Sequence, residues 1–331
     1  MALAGACTAP PARELLTFGG DVMGTRFNVR AVAPLAGGAE VSEVEREVGA
    51  TLAAVDDAMT TYRDSEVTRF NAWRSTDPFA VSPATAEVVR LALRLAEETD
   101  GALDPTIAPL VDALGFGPSG PAALPDAATL EALRQRVGHE RLSVDERGGL
   151  RKTDVDLQID LSAIAKGYGV DRAAAVLGHL GIEDFMVEVG GEVRARGVNE
   201  RGEPWRIAVE RPASGRRQAQ RVVSLRDLAM ATSGDYRNYR EVDGVRVSHL
   251  IDPRSGRSIE HRVASATVLH PECAAADGLA TAMMILGEEG LELAEARGWA
   301  VLLLVRRNGE FVERQSSAFG ELVESDRSAD A

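Results

Sequence analysis

The spacing of apolar residues along the chain switches between the period of a strand and that of a helix. Apolar and polar positions alternate over 16–32, which predicts a hairpin-like strand region. Apolar residues recur every three or four positions in four segments, which predicts helices over 41–60, 82–99, 164–177 and 274–286. Further strands are predicted from 155 towards the third helix and at 185–189, 193–197, 205–210, 221–231, 245–251, 265–269 and 299–305.

Since no internal repeat or clean break in composition divides the chain, the pattern favours one domain. The Gly- and Pro-rich segment 115–123 is read either as a hinge between two lobes or as a simple corner.

The composition limits the classes of protein to which this chain can belong. With 331 residues, 45% of them hydrophobic and 27% charged, the chain is long enough to bury one large core or two fused lobes. The net charge of −14 repels a phosphate backbone and excludes nucleic-acid binding as a main role. No apolar run approaches the roughly 18 residues that a membrane span needs, so no integral membrane segment is expected.

The N-terminal segment carries one of the two cysteines. Small residues precede Cys7 and prolines follow it, as at the end of a bacterial lipoprotein signal, although the basic and most of the apolar part of such a signal are absent. Chance in an Ala-rich stretch is the alternative. If the signal is real, we expect a lipoprotein on the extracytoplasmic side of the inner membrane, and otherwise a cytoplasmic protein. The expected organisation is a disordered tail over 1–15, a globular domain over 16–322 and a disordered acidic tail over 323–331.

The densest cluster of polar residues lies where the predicted strand from 155 meets a helix. Asp160 ends the apolar stretch, and Lys166 falls within the first helical turn. Free backbone N–H groups at a helix start favour anions, and a lysine there adds a positive charge for a phosphate. Alternatively, Asp160 caps the helix and Lys166 is solvated.

A second cluster lies on the predicted helix 274–286. Asp277 and Thr281 are four residues apart and project from the same face. A carboxylate and a hydroxyl on one face suit a hard cation such as Mg²⁺, which prefers oxygen ligands. In the alternative interpretation Asp277 favours the helix N-terminus and Thr281 bonds back to the carbonyl of Asp277.

A third cluster follows the strand 245–251. His249 is a candidate general base because its ordinary pKa is close to neutrality, and Asp252 is a candidate partner if the turn folds back. The same residues also fit an ordinary tight turn with Asp at its start and Gly at its end. No segment matches the usual dinucleotide, phosphate-loop, zinc or nucleophile-elbow motifs.

The order of these motifs resembles the ApbE family of FAD:protein FMN transferases. The pieces that carry the resemblance are 23–25, 62–66 with Asn71, 101–106, 115–117, 160–171, 189–192, 231–236, 248–256 and 277–281. The resemblance implies an α+β fold, a single catalytic domain with mixed or antiparallel sheets flanked by helices, and it allows two lobes around an FAD cleft. It further implies that FAD is contacted by Met23, Tyr62, Ala102, Leu103, Asp104, Asp160, Lys166 and Leu250. Mg²⁺ would be held by the Ala163 carbonyl, Asp277 and Thr281.

The sequence departs from the family pattern at several positions. It has Ser162-Ala163 where the family often has two glycines, Leu103 for Phe, Leu114 for Trp, Gly278 for Ala and Glu192 for Asp. Most changes keep size or charge, and Ala163 still offers its carbonyl. The loss of an aromatic side chain at 114 puts a packing or stacking contact in doubt.

The activity that the resemblance implies is Mg²⁺-dependent transfer of the FMN half of FAD to a Thr or Ser hydroxyl of another protein, with release of AMP. His249 is the expected general base. Asp252 is expected either to orient His249 or to act as the base in its place, and Lys166 is expected to stabilise the negative charge on the phosphate. The expected acceptor is a membrane redox-complex subunit or a flavin-carrying domain. Two alternatives stay open, namely hydrolysis of FAD to FMN and AMP and a non-catalytic FAD-binding or scavenging protein.

Overall fold

The computed structural model describes residues 13–34, 41–120, 123–212, 218–236, 238–242 and 244–329. The strands are β1 Arg13–Val22, β2 Thr25–Pro34, β3 Leu142–Val144, β4 Leu150–Lys152, β5 Asp184–Val189, β6 Glu192–Arg196, β7 Trp205–Glu210, β8 Ala219–Leu225, β9 Leu228–Gly234, β10 Tyr239–Val242, β11 Val245–Ser248, β12 Ile251–Asp252, β13 Arg257–Ser258, β14 Val263–His270, β15 Ala300–Arg307 and β16 Glu310–Gln315. The helices are α1 Val41–Met59, α2 Glu66–Ala72, α3 Pro83–Glu98, α4 Ala108–Ala113, α5 Ala127–Arg134, α6 Ala165–His179, α7 Cys273–Leu286, α8 Gly290–Arg297 and α9 Ser317–Ala329. In this part of the chain, no helix is long and apolar enough to cross a membrane.

An eight-stranded sheet organises the molecule. Its strands lie in the order β1-β2-β5-β6-β9-β14-β15-β16, and each neighbouring pair is antiparallel. Four two-stranded sheets, β3-β4, β7-β8, β10-β11 and β12-β13, lie outside it. A large antiparallel sheet flanked by helices agrees with the α+β fold expected from the sequence.

The two faces of the large sheet are covered differently, because successive side chains of a strand point to opposite faces. On β2, Phe27, Val29 and Ala31 pack against α1 and α6, on what we call the helix face. On the opposite face, Val193 of β6 and Met230 of β9 pack with β7 and α9. Residues 263–269 of β14 and 300–305 of β15 are buried throughout, as expected for strands covered on both faces.

The helices follow the predicted periodicity and have identifiable starts. Helix α1 buries Val44, Val48, Leu52, Val55 and Met59, which recur every three or four residues and form one apolar stripe. Ser82 caps α3 by accepting a hydrogen bond from the Thr85 N–H, with Pro83 in the first turn. Helix α2, which the periodicity does not reveal because it has only seven residues, begins with a capping box between Ser65 and Thr68.

The strand predicted from 155 towards α6 does not form. Residues 157–161 belong to no strand, and side chains take the place of a ladder. The Asn71 amide donates to the Ile159 carbonyl at 2.9 Å and accepts from the Ile159 N–H at 2.7 Å. The buried Lys152 ammonium donates to the Leu157 carbonyl at 3.1 Å. The apolar run is therefore core, as predicted, but it is not part of a sheet.

Both expected domain boundaries differ from the described elements. Strand β1 begins at Arg13, within the segment expected to be a tail, because Leu16 and Phe18 alternate into the core of the helix face. Helix α9 continues to Ala329 through most of the expected acidic tail, since Phe319 and Val323 lie four residues apart and are buried together. Cys7 lies outside the described residues, so the lipoprotein signal stays a prediction.

Asn71→Ala should lower the free energy of unfolding by about 2–4 kcal/mol, because two buried main-chain groups of Ile159 lose their partners at once. Asn71→Asp keeps an oxygen that accepts from the Ile159 N–H, so its free energy of unfolding should lie between those of the unchanged chain and of Asn71→Ala. Urea denaturation followed by circular dichroism measures the change, with Gln135→Ala, which removes an exposed amide bonded to Glu131, as the control. Equal effects of Asn71→Ala and the control would show that the amide does not hold this segment.

Candidate active site

A cleft of about 1560 Å³ opens at the ends of the sheet strands, next to the first turn of α6 and one face of α7. It reaches from the helix face, past the β5–β6 and β9 ends, onto part of the opposite face. Every site residue expected from the sequence except Asp252 lines this cleft, namely Met23, Tyr62, Ala102, Leu103, Asp104, Asp160, Ala163, Lys166, His249, Leu250, Asp277 and Thr281. The structure therefore brings the three sequence clusters together.

The β1–β2 turn places Met23 at the edge of the cleft. Met23 and Gly24 both have positive φ, at 50° and 68°, which is the geometry of a two-residue turn whose twist matches that of the flanking strands. The Met23 N–H donates to Asp56 Oδ2 at 3.3 Å, which ties the turn to the end of α1. The Met23 side chain packs against Gly169 of α6, where a Cβ would lie 3.1 Å from the terminal methyl group.

The loop after α3 is rigid and its acidic side chain is already engaged. Both oxygens of the buried Asp104 accept hydrogen bonds, one from the Thr106 N–H and hydroxyl at 2.8 and 2.6 Å and the other from the His139 N–H at 2.9 Å. Ala102 and Leu103 are buried beside it. Asp104 therefore shapes this wall of the cleft from within the protein.

The segment before α6 carries the next part of the wall. Asp160 Oδ1 accepts from the Ser162 N–H at 2.7 Å, and the Asp160 N–H donates to the Pro105 carbonyl at 2.8 Å. These bonds fix the turn that presents Ala163 to the cleft and leads into Lys166, the second residue of α6.

An ionic cluster of the partly exposed Lys166 with two buried carboxylates joins α6, α7 and β6. Lys166 Nζ lies 3.5 Å from both carboxylate oxygens of Asp277 and 3.6 Å from Glu192 Oε1. The Gly167 N–H donates to Asp277 Oδ2 at 3.0 Å, so Asp277 serves the start of α6 rather than that of its own helix. Asp277 therefore caps the neighbouring helix, and its role as a metal ligand stays a prediction.

Burial and mutual contact shift the acid–base behaviour of this cluster. Burial raises the pKa of Glu192 to about 8, against the opposing effect of Lys166. Burial also raises the pKa of Asp277. Burial acts to lower the pKa of Lys166, but the two carboxylates outweigh it and raise that pKa above its ordinary value. Glu192 Oε2 is buried and accepts no hydrogen bond from the residues that the structure describes.

Thr281 lies one helical turn after Asp277 on the same side of α7, as the spacing predicts. Its hydroxyl is 3.2 Å from the Ser233 hydroxyl at the end of β9. With the Ala163 backbone, the site thus has carbonyl, carboxylate and hydroxyl oxygens along one part of the cleft. No group of three or more His, Cys, Asp or Glu side chains suited to a metal ion occurs in the described part of the chain.

His249 is held in one tautomer. Its Nδ1 is 2.7 Å from the Asn238 carbonyl, and a carbonyl only accepts, so Nδ1 carries the proton and the neutral ring keeps its free lone pair on Nε2. Burial lowers the pKa of His249, partly offset by this hydrogen bond, and the charge of Lys166 lowers it further. His249 is therefore suited to accept a proton at neutral pH.

Asp252 does not partner His249. Its carboxylate binds Arg254 through both oxygens at 2.9 and 3.0 Å, and its carbonyl closes the turn by accepting from the Gly256 N–H at 2.8 Å. The turn thus directs Asp252 away from the cleft, and the Asn238 carbonyl takes the place expected for it. The tight-turn alternative is the one that this geometry fits.

Tyr62 and Phe116 form the outer rim. Tyr62 is 70% exposed, and its hydroxyl donates to the Phe116 carbonyl at 3.0 Å. The Phe116 ring meets His249 edge-on, with 6.2 Å between ring centroids. Burial first, and then the charge of Asp160, raise the pKa of Tyr62, which keeps its hydroxyl protonated.

Among the cleft residues that were not assigned from the sequence, Glu192, Phe116 and Asn238 contact residues that were. Glu192 follows the Gly190-Gly191 pair and Phe116 stands between two glycines, so both had a local signal. Asn238 had none, since it acts only through its backbone carbonyl.

Comparisons with known proteins show the family of the chain. A sequence model of the ApbE family matches residues 23–303. The chain belongs to the ApbE family. An FAD:protein FMN transferase from Vibrio cholerae is 47% identical over 309 residues, which cover 92% of each chain. One from Salmonella typhimurium is 39% identical over 326 residues, covering 97% of this chain and 92% of that one.

Solved structures of the ApbE family share the fold over nearly the whole chain. The flavin transferase ApbE from Vibrio cholerae gives a TM-score of 0.86 at 44% identity, covering 93% of this chain and 99% of that one. The apo form of the flavinyl transferase ApbE from Pseudomonas stutzeri gives a TM-score of 0.86 at 39% identity, covering 94% of this chain and 97% of that one. The resemblance and the fold class expected from the sequence are both confirmed.

The packing around two residues that depart from the ApbE pattern accommodates the change. Leu114 is buried with Leu110 and Ile251, so a smaller apolar side chain keeps a packing contact where the family often has Trp. At Gly278 a Cβ would lie 2.6 Å from Leu95 Cδ1 and 3.2 Å from Leu103 Cδ2. The leucine at 103 and the glycine at 278 therefore form one packing arrangement.

His249 and His139 should titrate on opposite sides of the ordinary value of 6.5. Burial lowers the pKa of His249, whereas the hydrogen bond to Asp104 raises the pKa of His139. In a chain labelled with ¹⁵N-histidine, the ring nitrogens of His249 should be neutral at a pH where His139 is still protonated. His249→Gln and His139→Gln assign the resonances, and a higher midpoint for His249 than for His139 would contradict the geometry.

Proposed function

We propose that this chain transfers the FMN half of FAD to an acceptor protein. Its membership of the ApbE family supports the reaction, and the curated relatives it matches are named FAD:protein FMN transferases. The single observation that carries the proposal is the cluster of Lys166 with Asp277 and Glu192, buried beside the start of α6. Such a site provides a positive group for phosphate oxygens next to carboxylates suited to a cation.

FAD would lie along the helix-face part of the cleft. The wall there is formed by the Met23 turn, the Ala102–Leu103 loop and the backbone around Leu250. The exposed ring of Tyr62 at the rim offers a flat surface for the isoalloxazine or another ring of the ligand. The pyrophosphate would then reach the first turn of α6, where Lys166 and the helix N-terminus favour negative charge.

The residues present fit a divalent cation. The Ala163 carbonyl, the Asp277 carboxylate and the Thr281 hydroxyl are all oxygen donors, the kind that Mg²⁺ prefers. The buried Glu192 oxygen without a partner, and two carboxylates facing one lysine, leave the cluster able to accept further positive charge. Mg²⁺ held there would supply neutralisation of the charge on the pyrophosphate.

His249 is the proposed general base. A Thr or Ser hydroxyl of the acceptor attacks the phosphorus that carries the riboflavin, and its proton passes to Nε2 of His249. The new P–O ester bond forms as the pyrophosphate P–O bond to AMP breaks, and the electron pair leaves with the AMP phosphate. Lys166 stabilises the negative charge on the phosphate oxygens, and the Asn238 carbonyl keeps His249 in the tautomer that accepts the proton.

The acceptor is proposed to be a membrane redox-complex subunit or a flavin-carrying domain with an accessible Thr or Ser. A lipid on Cys7, outside the described residues, would place the enzyme at the extracytoplasmic face of a membrane beside such partners. The acidic overall charge of the chain favours no particular acceptor.

Incubation with FAD, Mg²⁺ and a purified flavin-carrying domain should add one FMN to the domain and release one AMP. Intact-mass spectrometry of the domain and chromatography of the nucleotides measure both products. Release of AMP without a mass gain would indicate hydrolysis of FAD, and recovery of intact FAD would indicate a binding protein.

In the same assay, His249→Gln should slow transfer by a factor of about 10²–10⁴, the usual contribution of a general base. FAD should still bind, because the substitution removes the proton acceptor rather than a wall of the cleft. Flavin fluorescence measures binding, and His179→Gln, an exposed histidine bonded to its own helix, is the control. An unchanged transfer rate in His249→Gln would assign the base elsewhere.

Thr281→Val should weaken the effect of Mg²⁺ on the FAD complex, because it removes one proposed oxygen donor at nearly constant volume. The measurement is the Mg²⁺ concentration that gives half of the maximal rise in melting temperature with FAD present, and it should increase about tenfold or more. Thr267→Val is the matched control, since its hydroxyl is buried against Thr232 on the opposite face of the sheet. Equal Mg²⁺ requirements in the two variants would exclude Thr281 as a ligand.

A further inference from the structure

The cleft continues onto a part of the sheet to which the FAD interpretation assigns no role. Strand side chains alternate between faces, and the even-numbered residues of β2 and β5 point away from the helices. We call this part of the cleft the opposite-face arm. It is lined by Asn28, Glu188, Val193, Ile207, Met230 and Thr232.

The size of the cleft leaves room for a second occupant. Pockets for one small ligand usually enclose about 300–1,000 Å³. The whole cleft is larger, at about 1560 Å³. The residues proposed to contact FAD all lie on the helix-face side or at the rim, so the remaining space is in the opposite-face arm.

The arm is continuous with the reaction centre through the β5–β6 turn. Val189 pairs with Glu192, so the turn consists of Gly190 and Gly191 alone, both with positive φ. A Cβ at Gly190 would lie 3.4 Å from Lys166 Cδ, which places this turn against the proposed phosphate-binding lysine. A Cβ at Gly191 would meet nothing within 4 Å, so there is open space next to this turn.

The surface chemistry of the arm suits an extended peptide. Val193 and Met230 form the buried apolar floor of the arm, at 4% and 2% exposure, and with the half-buried Ile207 they make a narrow apolar strip in which Ile207 offers the accessible contact. Beside the strip, the Asn28 amide donates to Glu188 at 2.6 Å in an exposed pair that offers further donors and acceptors to a peptide backbone. Among the residues that the structure describes, no cluster of basic side chains that would suit a second nucleotide phosphate lines this strip.

We propose that the opposite-face arm binds the acceptor segment that carries the target hydroxyl. The segment lies extended along the apolar strip, and its Thr or Ser reaches the phosphate past Gly190 and Gly191. FAD and the acceptor thus enter from different faces of one sheet and meet at its strand ends. This inference rests on the proposed function, because it needs a protein as the second substrate.

Ala208→Trp tests the arm by filling it. Ala208 is exposed and lines the cleft next to Ile207 at the edge of the arm, so a larger side chain there narrows the arm without entering the core. Arg206→Trp is the matched control, because Arg206 is exposed on the same side of the same strand and does not line the cleft. Asn28→Trp, at an exposed position across the arm, is a second test should Ala208→Trp fail to fold.

The probe is one purified flavin-carrying domain that the unchanged enzyme modifies with FMN. Ala208→Trp and Asn28→Trp should raise the KM for this domain about tenfold or more, while the dissociation constant of FAD stays within about twofold. Arg206→Trp should change neither quantity. An unchanged KM in both arm variants, or an equal loss of FAD affinity, would overturn the proposal. If the unchanged enzyme modifies no domain tested and only hydrolyses FAD, the proposed function itself fails and the inference fails with it.

Discussion

The close crossing of α6 and α7 at Gly167 is the constraint on which the site depends. A Cβ at this position would lie 2.3 Å from the Cys273 carbonyl oxygen and 2.8 Å from the Ala274 Cα, so only glycine fits. The crossing lets the Gly167 N–H reach Asp277 at 3.0 Å. It also brings the Lys166 ammonium to the same part of the cleft as the Asp277 carboxylate and the Thr281 hydroxyl, although Lys166 lies more than a hundred residues before both in sequence.

A second contact locks the same pair of helices. Asp171, one turn further along α6, accepts from the Cys273 N–H at 3.0 Å and from the Ala274 N–H at 2.9 Å, and so caps the start of α7. Arg194 of β6 binds Asp171 in turn. Strand β6 also carries Glu192, so the strand and both helices are fixed to one another on each side of the cluster. The buried charges are thereby held together in the absence of a ligand, at a cost in desolvation that a cation and a phosphate would offset on binding.

The sequence predicted those parts of the site whose geometry is local. Asp277 and Thr281 share a helix face because they are four residues apart, and Lys166 falls in a first turn whatever the surrounding fold. Glu192 was only noted as a departure from the family, because its contact with Lys166 depends on the pairing of β5 with β6. The prediction of a strand from 155 was wrong. An apolar run does not reveal whether its backbone N–H and C=O groups pair with a neighbouring strand or with a side chain such as Asn71. Asp252 was paired with His249 on sequence distance, whereas the turn bonds it to Arg254.

In the proposed mechanism, the two-faced cleft would explain a reaction centre at the strand ends. A phosphoryl transfer with the attacking and leaving oxygens roughly in line needs the acceptor and AMP on opposite sides of the phosphorus. A site on one face of a sheet offers one open side, whereas a site at the end of β5 and β6 is open to both. The Gly190-Gly191 turn forms this end of the two strands. The cluster of Lys166, Asp277 and Glu192 lies next to the turn and carries the charged groups. His249 stands above it on a separate element, held through Asn238, so the base and the charged cluster are positioned by different parts of the chain. In the proposed mechanism, this separation would let the cluster hold the pyrophosphate without raising the pKa of His249, which the charge of Lys166 instead helps to lower.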